Sequence, residues 1–372
     1  MTPSSASPLI VAALRTPIGT AGRSLAAVDA ASLAAPVLAR LATVVSPAEV
    51  VLGNCTGPGG DVARVAALTA GLPYDVPALT VDRQCGSGLA AIEVGAALVR
   101  STGRPVIAGG VESASTAPWR FHAPAGDAPL ERYERAPFAP AAIGDPDMGL
   151  AADLLAEEHG IGRSHQDAYA ARSHARAWAA QSAGIFGDEL VPVGTVTADE
   201  RPRAGMTAER LARLRPAFRP DGTVTAGNSC GINDGAAAVA IVPGGAEVTG
   251  LRILATASAG VDPNRPGIGL VPAVRAALDI AGLLLGEMDV IELNEAFAGQ
   301  VLACCAELGL DPERVCVEGG ALALGHPWGA SGAVLAVRLF SQLMRPGAAR
   351  FGLAGIAVGG GQGVAMVVEA CR

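Results

Sequence analysis

Lysine is absent: all 27 basic residues of the 372-residue chain are arginine, set against 35 acidic ones. Every cationic contact to a substrate or partner must therefore come from a guanidinium. A net charge of −8 argues against a nucleic-acid surface, which needs a basic face. Charge is sparse at 17% and aromatics sparser at 3%. The apolar half of the chain is built mostly from Ala, Val and Leu, in runs too short to span a bilayer. No basic region precedes the brief apolar stretch from Pro8 to Leu14, so no signal peptide is expected. The seven cysteines (Cys55, Cys85, Cys230, Cys304, Cys305, Cys316 and Cys371) show no C-x-x-C spacing and an odd count. That pattern suits reduced thiols in a cytoplasm and argues against disulfides or a metal site.

At this length the chain holds two core-sized units. Short apolar runs alternate with Ala-rich helical stretches: Leu9 to Leu14, Ala48 to Gly53, Val76 to Val81 and Pro105 to Ala108 read as strands. Strand–helix alternation predicts α/β units around a mainly parallel sheet. From Ser115 to about Arg219 the texture changes, with Pro, charge and aromatics concentrated and helices expected over Leu150–Glu158 and Ser164–Ala183. Ser164 with Asp167 three residues on is the expected cap of the second. This segment reads as an inserted lid. Its Arg-rich end (Arg201, Arg203, Arg210, Arg213, Arg215, Arg219) suits phosphates as well as it suits a solvated face. The α/β texture resumes at Thr223, with helices expected at Val271–Ala281, Gln300–Leu308 and Ala333–Leu343. Strands are expected at Val290–Leu293, Arg314–Val317, Phe351–Val358 and Val364–Glu369.

Cys85 is the residue the chain is organised around. It lies in Arg83-Gln84-Cys85-Gly86-Ser87-Gly88, between the run ending at Val81 and a helical stretch from Leu89 to Val99. A cysteine at a helix N-terminus gains from unpaired N–H groups and the dipole, which favour thiolate. Neighbouring glycines open access and free backbone N–H groups for a developing oxyanion. In isolation the same residue reads as a small buried hydrophobe. A weak internal repeat alters that balance. Cys85-Gly86-Ser87-Gly88, a helix, a strand and Gly109-Gly110 are matched downstream by Gly329-Ala330-Ser331-Gly332, a helix, a strand and Gly359-Gly360. Two such halves about a pseudo-twofold bring their glycine turns together, placing His326 of Gly325-His326-Pro327 opposite Cys85. The chain has only five histidines. His122, His159, His165 and His174 fall in the polar lid region and are expected at the surface, which leaves His326 as the leading base.

Several separate stretches, in order, make the chain resemble the thiolase family over nearly its whole length. They are Cys85-Gly86-Ser87-Gly88, Gly109-Gly110-Val111-Glu112-Ser113, Leu214-Arg215-Pro216-Ala217-Phe218, Thr225-Ala226-Gly227-Asn228, Asn233-Asp234-Gly235-Ala236-Ala237, Asn294-Glu295-Ala296-Phe297 and Gly325-His326-Pro327. The resemblance implies a five-layer αβαβα fold. Its two similar halves would comprise residues 1–114 with a return at 223–245, and residues 246–372, with an inserted loop domain at 115–222. It implies coenzyme A thioesters as substrates, no permanently bound cofactor, and a homodimer or homotetramer with neither nucleic acid nor membrane as partner. It implies Cys85 as acyl carrier, His326 as its activator, Asn294 as holder of a water in an oxyanion hole, and the N–H groups of Cys85 and Gly359 as the hole for the acyl oxygen. Arg203, Met148, Ala226, Cys230 and Phe297 match coenzyme A contacts.

The departures are as informative. The family's Cys-x-Gly-Gly-Gly reads Ala357-Val358-Gly359-Gly360-Gly361, so the thiol that removes an α-proton is a methyl group. Cys230 stands where a Ser contacting pantetheine is usual, Cys316 and Glu318 where an Asn pair is usual, and Asp147 where a His often precedes Met148-Gly149. Three readings follow. One is a thiolase-type acyltransferase making or breaking a 3-ketoacyl carbon–carbon bond. A second passes the acyl-Cys85 group to another acceptor or to water. The third is a non-catalytic acyl-binding subunit, against which stands the joint retention of Cys85, His326 and Asn294. Were condensation to survive Ala357, Cys316 and Glu318 are the first residues expected to carry the proton.

Overall fold

The structure, a computed structural model, describes residues 7–124, 126, 128–245, 248–347 and 349–372. It opens with β1 (Leu9–Arg15), a short β2 (Gly19–Thr20), α1 (Ala30–Ala42), β3 (Glu49–Gly53), α2 (Val62–Thr69), β4 (Ala78–Val81), α3 (Ser87–Thr102) and β5 (Val106–Ser113). The next segment carries a ribbon, β6 (Arg120–Phe121) with β7 (Arg132–Tyr133), and then α4 (Met148–Glu158), α5 (Arg163–Ser182) and α6 (Ala208–Leu211). β8 (Asn233–Val242) re-enters the sheet, followed by β9 (Gly250–Gly260), α7 (Leu270–Ala281), β10 (Val290–Leu293) and α8 (Ala298–Leu308). Last come α9 (Ala321–Leu324), α10 (Trp328–Leu343), β11 (Phe351–Val358) and β12 (Gln362–Cys371).

Two half-sheets, β4-β3-β5-β8-β1 and β9-β12-β11-β10, join where Leu9 and Ile10 pair with Arg252 and Leu251. α1 and α2 cover the outer face of the first, and α7 and α8 that of the second. α3 and α10 run between them and touch strands of both. The five layers αβαβα follow, with the central core made by the two inner sheet faces and the middle helices.

Local sequence sets most boundaries. Asp29 caps α1 through the N–H of Ser32 at 2.9 Å, and Asp147 caps α4 through the N–H of Gly149 at 2.9 Å, each satisfying an otherwise orphaned donor. α3, α7 and α8 stop at Gly103, Gly282 and Gly309, all left-handed, as expected of glycine C-caps.

Several expectations are corrected. The sheet is mixed, because β8 and β12 run antiparallel to their neighbours. β5 continues through Gly109 and Gly110 to Ser113, since a Cβ at Gly109 would lie 2.1 Å from the carbonyl of Ala237 in the next strand. β9, at Gly250–Gly260, falls where the sequence reading places no strand. Arg314–Val317 is not a strand: a 3₁₀ turn ends at Arg314, and Val315 makes only an isolated bridge to Ile291. Ser164 is not a cap, because α5 starts one residue earlier with Gly162 at its N-cap. His174 is buried on the inner face of α5, not at the surface.

α3 and α10 cross at backbone contact. A Cβ on Gly332 would lie 2.5 Å from the N of Leu89, and one on Gly88 2.8 Å from the carbonyl oxygen of Gly329. This closeness puts the turn before α3 beside the turn before α10. Gly332→Ala is expected to force the helices apart and cost about 1–3 kcal/mol, the usual price of overpacking. Urea unfolding reads the effect, and a midpoint equal to that of the parent chain would show that the crossing is not tight.

Candidate active site

Cys85 lies one residue before the N-cap of α3. The turn that presents it is strained, with Gln84 in the left-handed region at φ 45°, a conformation costing a non-glycine residue on the order of 1–3 kcal/mol. Hydrogen bonds hold it there. The N–H of Gln84 donates to Asp82 Oδ1 at 2.7 Å, and its carbonyl accepts from Ser87 Oγ at 2.6 Å and Cys55 Sγ at 3.0 Å. Cys85 opens onto a cavity of about 420 Å³, whose wall also includes Gly359, Met148, Cys230 and Phe297. Ala226 and Arg203 are exposed and lie outside that wall.

The thiol is not a ready-made thiolate. Burial pushes its pKa up to about 12, and the Glu112 and Asp82 carboxylates push the same way. The N–H groups of Cys85 itself and of Gly359 act in the opposite direction. The dipole expectation fails because enclosure removes water from the sulfur, and desolvation outweighs a helix whose first turn begins beyond it. Cys55 and Cys230 share the wall. Burial raises both pKa values, that of Cys230 to about 12, and the proximity of Cys85 adds to each.

His326 is buried, its N–H donating to Asn233 Oδ1 at 3.0 Å and its Nδ1 lying 2.5 Å from Ser331 Oγ. Burial lowers its pKa to about 4, so the ring is neutral at physiological pH. Nε2 has no hydrogen bond among the described residues, which leaves it as the nitrogen for chemistry. Asn294 is buried and faces a separate cavity of about 20 Å³ whose wall includes Gly325 and Ser331. Ser331, the ring partner of His326, shares that small cavity with Asn294, and neither His326 nor Asn294 lines the large one. The link to that cavity is Ile232, which bridges to His326 and lies in its wall.

Glu112 was not singled out as a site residue, although its stretch was. Its buried carboxylate accepts from the N–H groups of Cys55 and Thr56 at 3.1 Å and of Gly329 at 3.0 Å, and from the amide of Asn54 at 3.2 Å. It ties the loop beside Cys85 to the first residues of α10. Phe138, also unforeseen, covers Gly359: a Cβ there would lie 2.7 Å from its ring. Cys316 and Glu318 are corrected outright. Cys316 donates to the Leu293 carbonyl at 3.2 Å, Glu318 is held by Arg338 and Arg345, and neither faces Cys85. Among the described residues no group of His, Cys, Asp and Glu could hold a metal ion.

The buried neutral ring fixes a pH dependence. A folded-state pKa near 4 against about 6.5 unfolded means that the unfolded chain binds the proton first. Stability is then lost as pH falls from about 6.5 towards 4, and His174, lowered likewise to about 4 by burial, adds to the loss. The rate of acetyl-CoA reaction at Cys85 is expected to stay flat from pH 7.5 down to about 5.5. A fall centred near 6.5, the free imidazole value, would show that His326 is solvated.

Two family models match: the thiolase N-terminal domain over residues 9–244 and the thiolase C-terminal domain over 249–370. An acetyl-CoA acetyltransferase of Pseudomonas aeruginosa is 45% identical over 97% of this chain and 98% of its own length. A beta-ketoadipyl-CoA thiolase of Acinetobacter baylyi is 41% identical over the same shares, 97% and 98%. The crystal structure of the Bacillus anthracis acetyl-CoA acetyltransferase superposes with a TM-score of 0.90 at 39% identity, covering 98% of this chain and 99% of that one. Human mitochondrial 3-ketoacyl-CoA thiolase gives 0.91 at 35% identity, covering 99% and 100%. With both halves matched and the geometry in place, the chain belongs to the thiolase family, whose members are acyltransferase enzymes.

Proposed function

We propose that this chain transfers acyl groups from coenzyme A thioesters by way of an acyl-Cys85 intermediate. The observation that carries this reading is that Cys85 and Gly359 share the wall of one cavity of about 420 Å³, large enough for an acyl-pantetheine. Both partners start neutral. As the sulfur–carbon bond forms, the thiol proton passes to His326 Nε2, with Ser331 holding the other ring nitrogen. The carbonyl oxygen takes its negative charge against the N–H groups of Cys85 and Gly359. Collapse of the tetrahedral intermediate breaks the bond to the coenzyme A sulfur, which leaves with the proton from His326. Met148, Cys230 and Phe297 wall the pantetheine side, and Arg203 stands outside, where a nucleotide phosphate can reach it. Coenzyme A enters as substrate, and no resident cofactor takes part.

Carbon–carbon bond formation needs one thing more, a base for the α-proton of the second thioester. Ala357, on β11 two residues before Gly359, has none to offer. The acylation half of the site is complete and the carbanion half is not, which favours transfer of the acyl group to another acceptor or to water. β4 and β10 are the two edges of the sheet, and the side chains of β4 are all half-buried, so a second copy pairing along β4 is the assembly we expect. Reduced thiols suit a cytoplasmic setting.

Incubation with acetyl-CoA should add one acetyl group, mapped by mass spectrometry to the Cys85 peptide and missing in Cys85→Ala. His326→Ala should slow the reaction about 10²–10⁴-fold. Label that persists elsewhere in Cys85→Ala would sink the reading. Condensation of two acetyl-CoA molecules should be slow, and Ala357→Cys should raise it about 10²–10⁴-fold. If the parent chain already condenses at the rate of Ala357→Cys, the carbanion half is not impaired. Cys55 and Cys230, the other thiols in the cavity wall, then become the proton carriers to replace.

A further inference from the structure

The cavity that holds Cys85 has two guanidinium groups in its wall, Arg120 and Arg135, and they are in different states. Arg135 is neutralised: Nη1 lies 3.0 and 2.9 Å from the two carboxylate oxygens of Asp145, and its plane lies over the Phe138 ring at 4.5 Å. Arg120 has no carboxylate partner among the described residues. Its one hydrogen bond runs from Nη2 to the carbonyl of Thr56 at 2.9 Å. A guanidinium carries five N–H donors in a fixed plane and cannot shed its charge. Among the described residues Nε and Nη1 of Arg120 have no acceptor, so they are donors on a permanent cation in the wall of the cavity.

The position is fixed from both sides. Arg120 belongs to the β6–β7 ribbon, paired with Tyr133, and its anchor Thr56 is itself held by the buried Glu112. Cys55, next to Thr56, hydrogen-bonds the carbonyl of Gln84, the residue before the nucleophile. The cation therefore sits on the stretch of wall that adjoins Cys85. The nucleotide phosphates of coenzyme A lie a whole pantetheine arm away from its sulfur, so a cation beside the nucleophile meets the acyl chain instead. Three acidic side chains also line the cavity: Asp82, Glu134 and Asp147. Asp82 is committed to the N–H of Gln84, and Asp147 to the first turn of α4. Glu134 is exposed and is not paired with Arg120.

From this geometry we infer that the site takes acyl groups ending in a carboxylate, the dicarboxylic-acid monothioesters, and that Arg120 is the residue that selects them. The inference rests on acyl transfer through Cys85 and adds the class of acyl group. The two free donors of Arg120 offer a carboxylate the forked contact that guanidinium makes best. A methyl-ended chain of equal length leaves that cation desolvated and unpaired, which is how a polar site rejects an apolar analogue. With no lysine in the chain, this charge has no flexible substitute.

The test compares acylation rates of Cys85 by intact mass, using succinyl-, glutaryl- and adipyl-CoA against butyryl-, valeryl- and hexanoyl-CoA. Rates are normalised to the fraction of protein that acetyl-CoA labels, so misfolded molecules drop out. At one chain length or more the carboxylated thioester should react about 10–100-fold faster. Arg120→Met should bring that ratio to about one, with Arg120→Lys between the two. A ratio near one in the parent chain at all three lengths overturns the inference, as does a preference undiminished in Arg120→Met, while acyl transfer through Cys85 stands. Failure of every thioester, acetyl-CoA included, to label Cys85 overturns both.

Discussion

Two helices meeting backbone to backbone set the geometry of this molecule. Gly88 of α3 and Gly332 of α10 leave no room for a Cβ between them, so the turns that precede the helices lie side by side. One turn presents Cys85, and the other carries His326, whose ring partner Ser331 lies in the first turn of α10. Glu112 fastens the arrangement by accepting from Cys55 and Thr56 on one side and from Gly329 on the other. Five layers are needed around this crossing because α3 and α10 each bury faces against both half-sheets. The glycines that look permissive in the sequence are obligatory for distance.

The site's electrostatics follow from the same enclosure. A thiol and an imidazole in a dry interior are each driven towards the neutral form, one pKa rising and the other falling. Cys85 and His326 are therefore both favoured in the uncharged form, and in the proposed acylation charge develops only as the new bond forms. Elsewhere in the interior, some charges are gathered into closed ion-pair sets. Arg15 is held by Asp199 at 2.7 and 2.8 Å and by Glu189 at 2.8 Å, and Arg338 joins Glu189 to Glu318. Glu318, unusual when met as an isolated substitution, is accounted for by the two arginines that grip it.

The site was legible where chemistry and backbone geometry share one short stretch. Cys85 among glycines and Gly359 in a glycine run carry their meaning locally, and both lie in one cavity wall. Phe138 and Arg120 sit in stretches whose composition gives no such signal. Phe138 matters because Gly359 lies beneath it. Arg203 and Ala226, read across from motifs, lie outside the cavity because the loops that carry them turn towards solvent.

What the sequence determined by itself is what short-range physics encodes: the Asp29 and Asp147 caps, the glycine stops of α3, α7 and α8, the alternation that makes an α/β chain, and a cysteine at the mouth of a helix. Its two matching glycine turns also carried the pairing of halves, since a repeat is visible without coordinates. Only the tertiary structure decided the direction of β8 and β12, which depends on partners over a hundred residues away in the case of β5 and β8. It alone decided that His174 is buried, that enclosure raises the pKa of the Cys85 thiol, and that Arg120 lines the cavity with no carboxylate partner among the described residues. Burial and desolvation are properties of everything packed around a group, and no window of sequence contains that information.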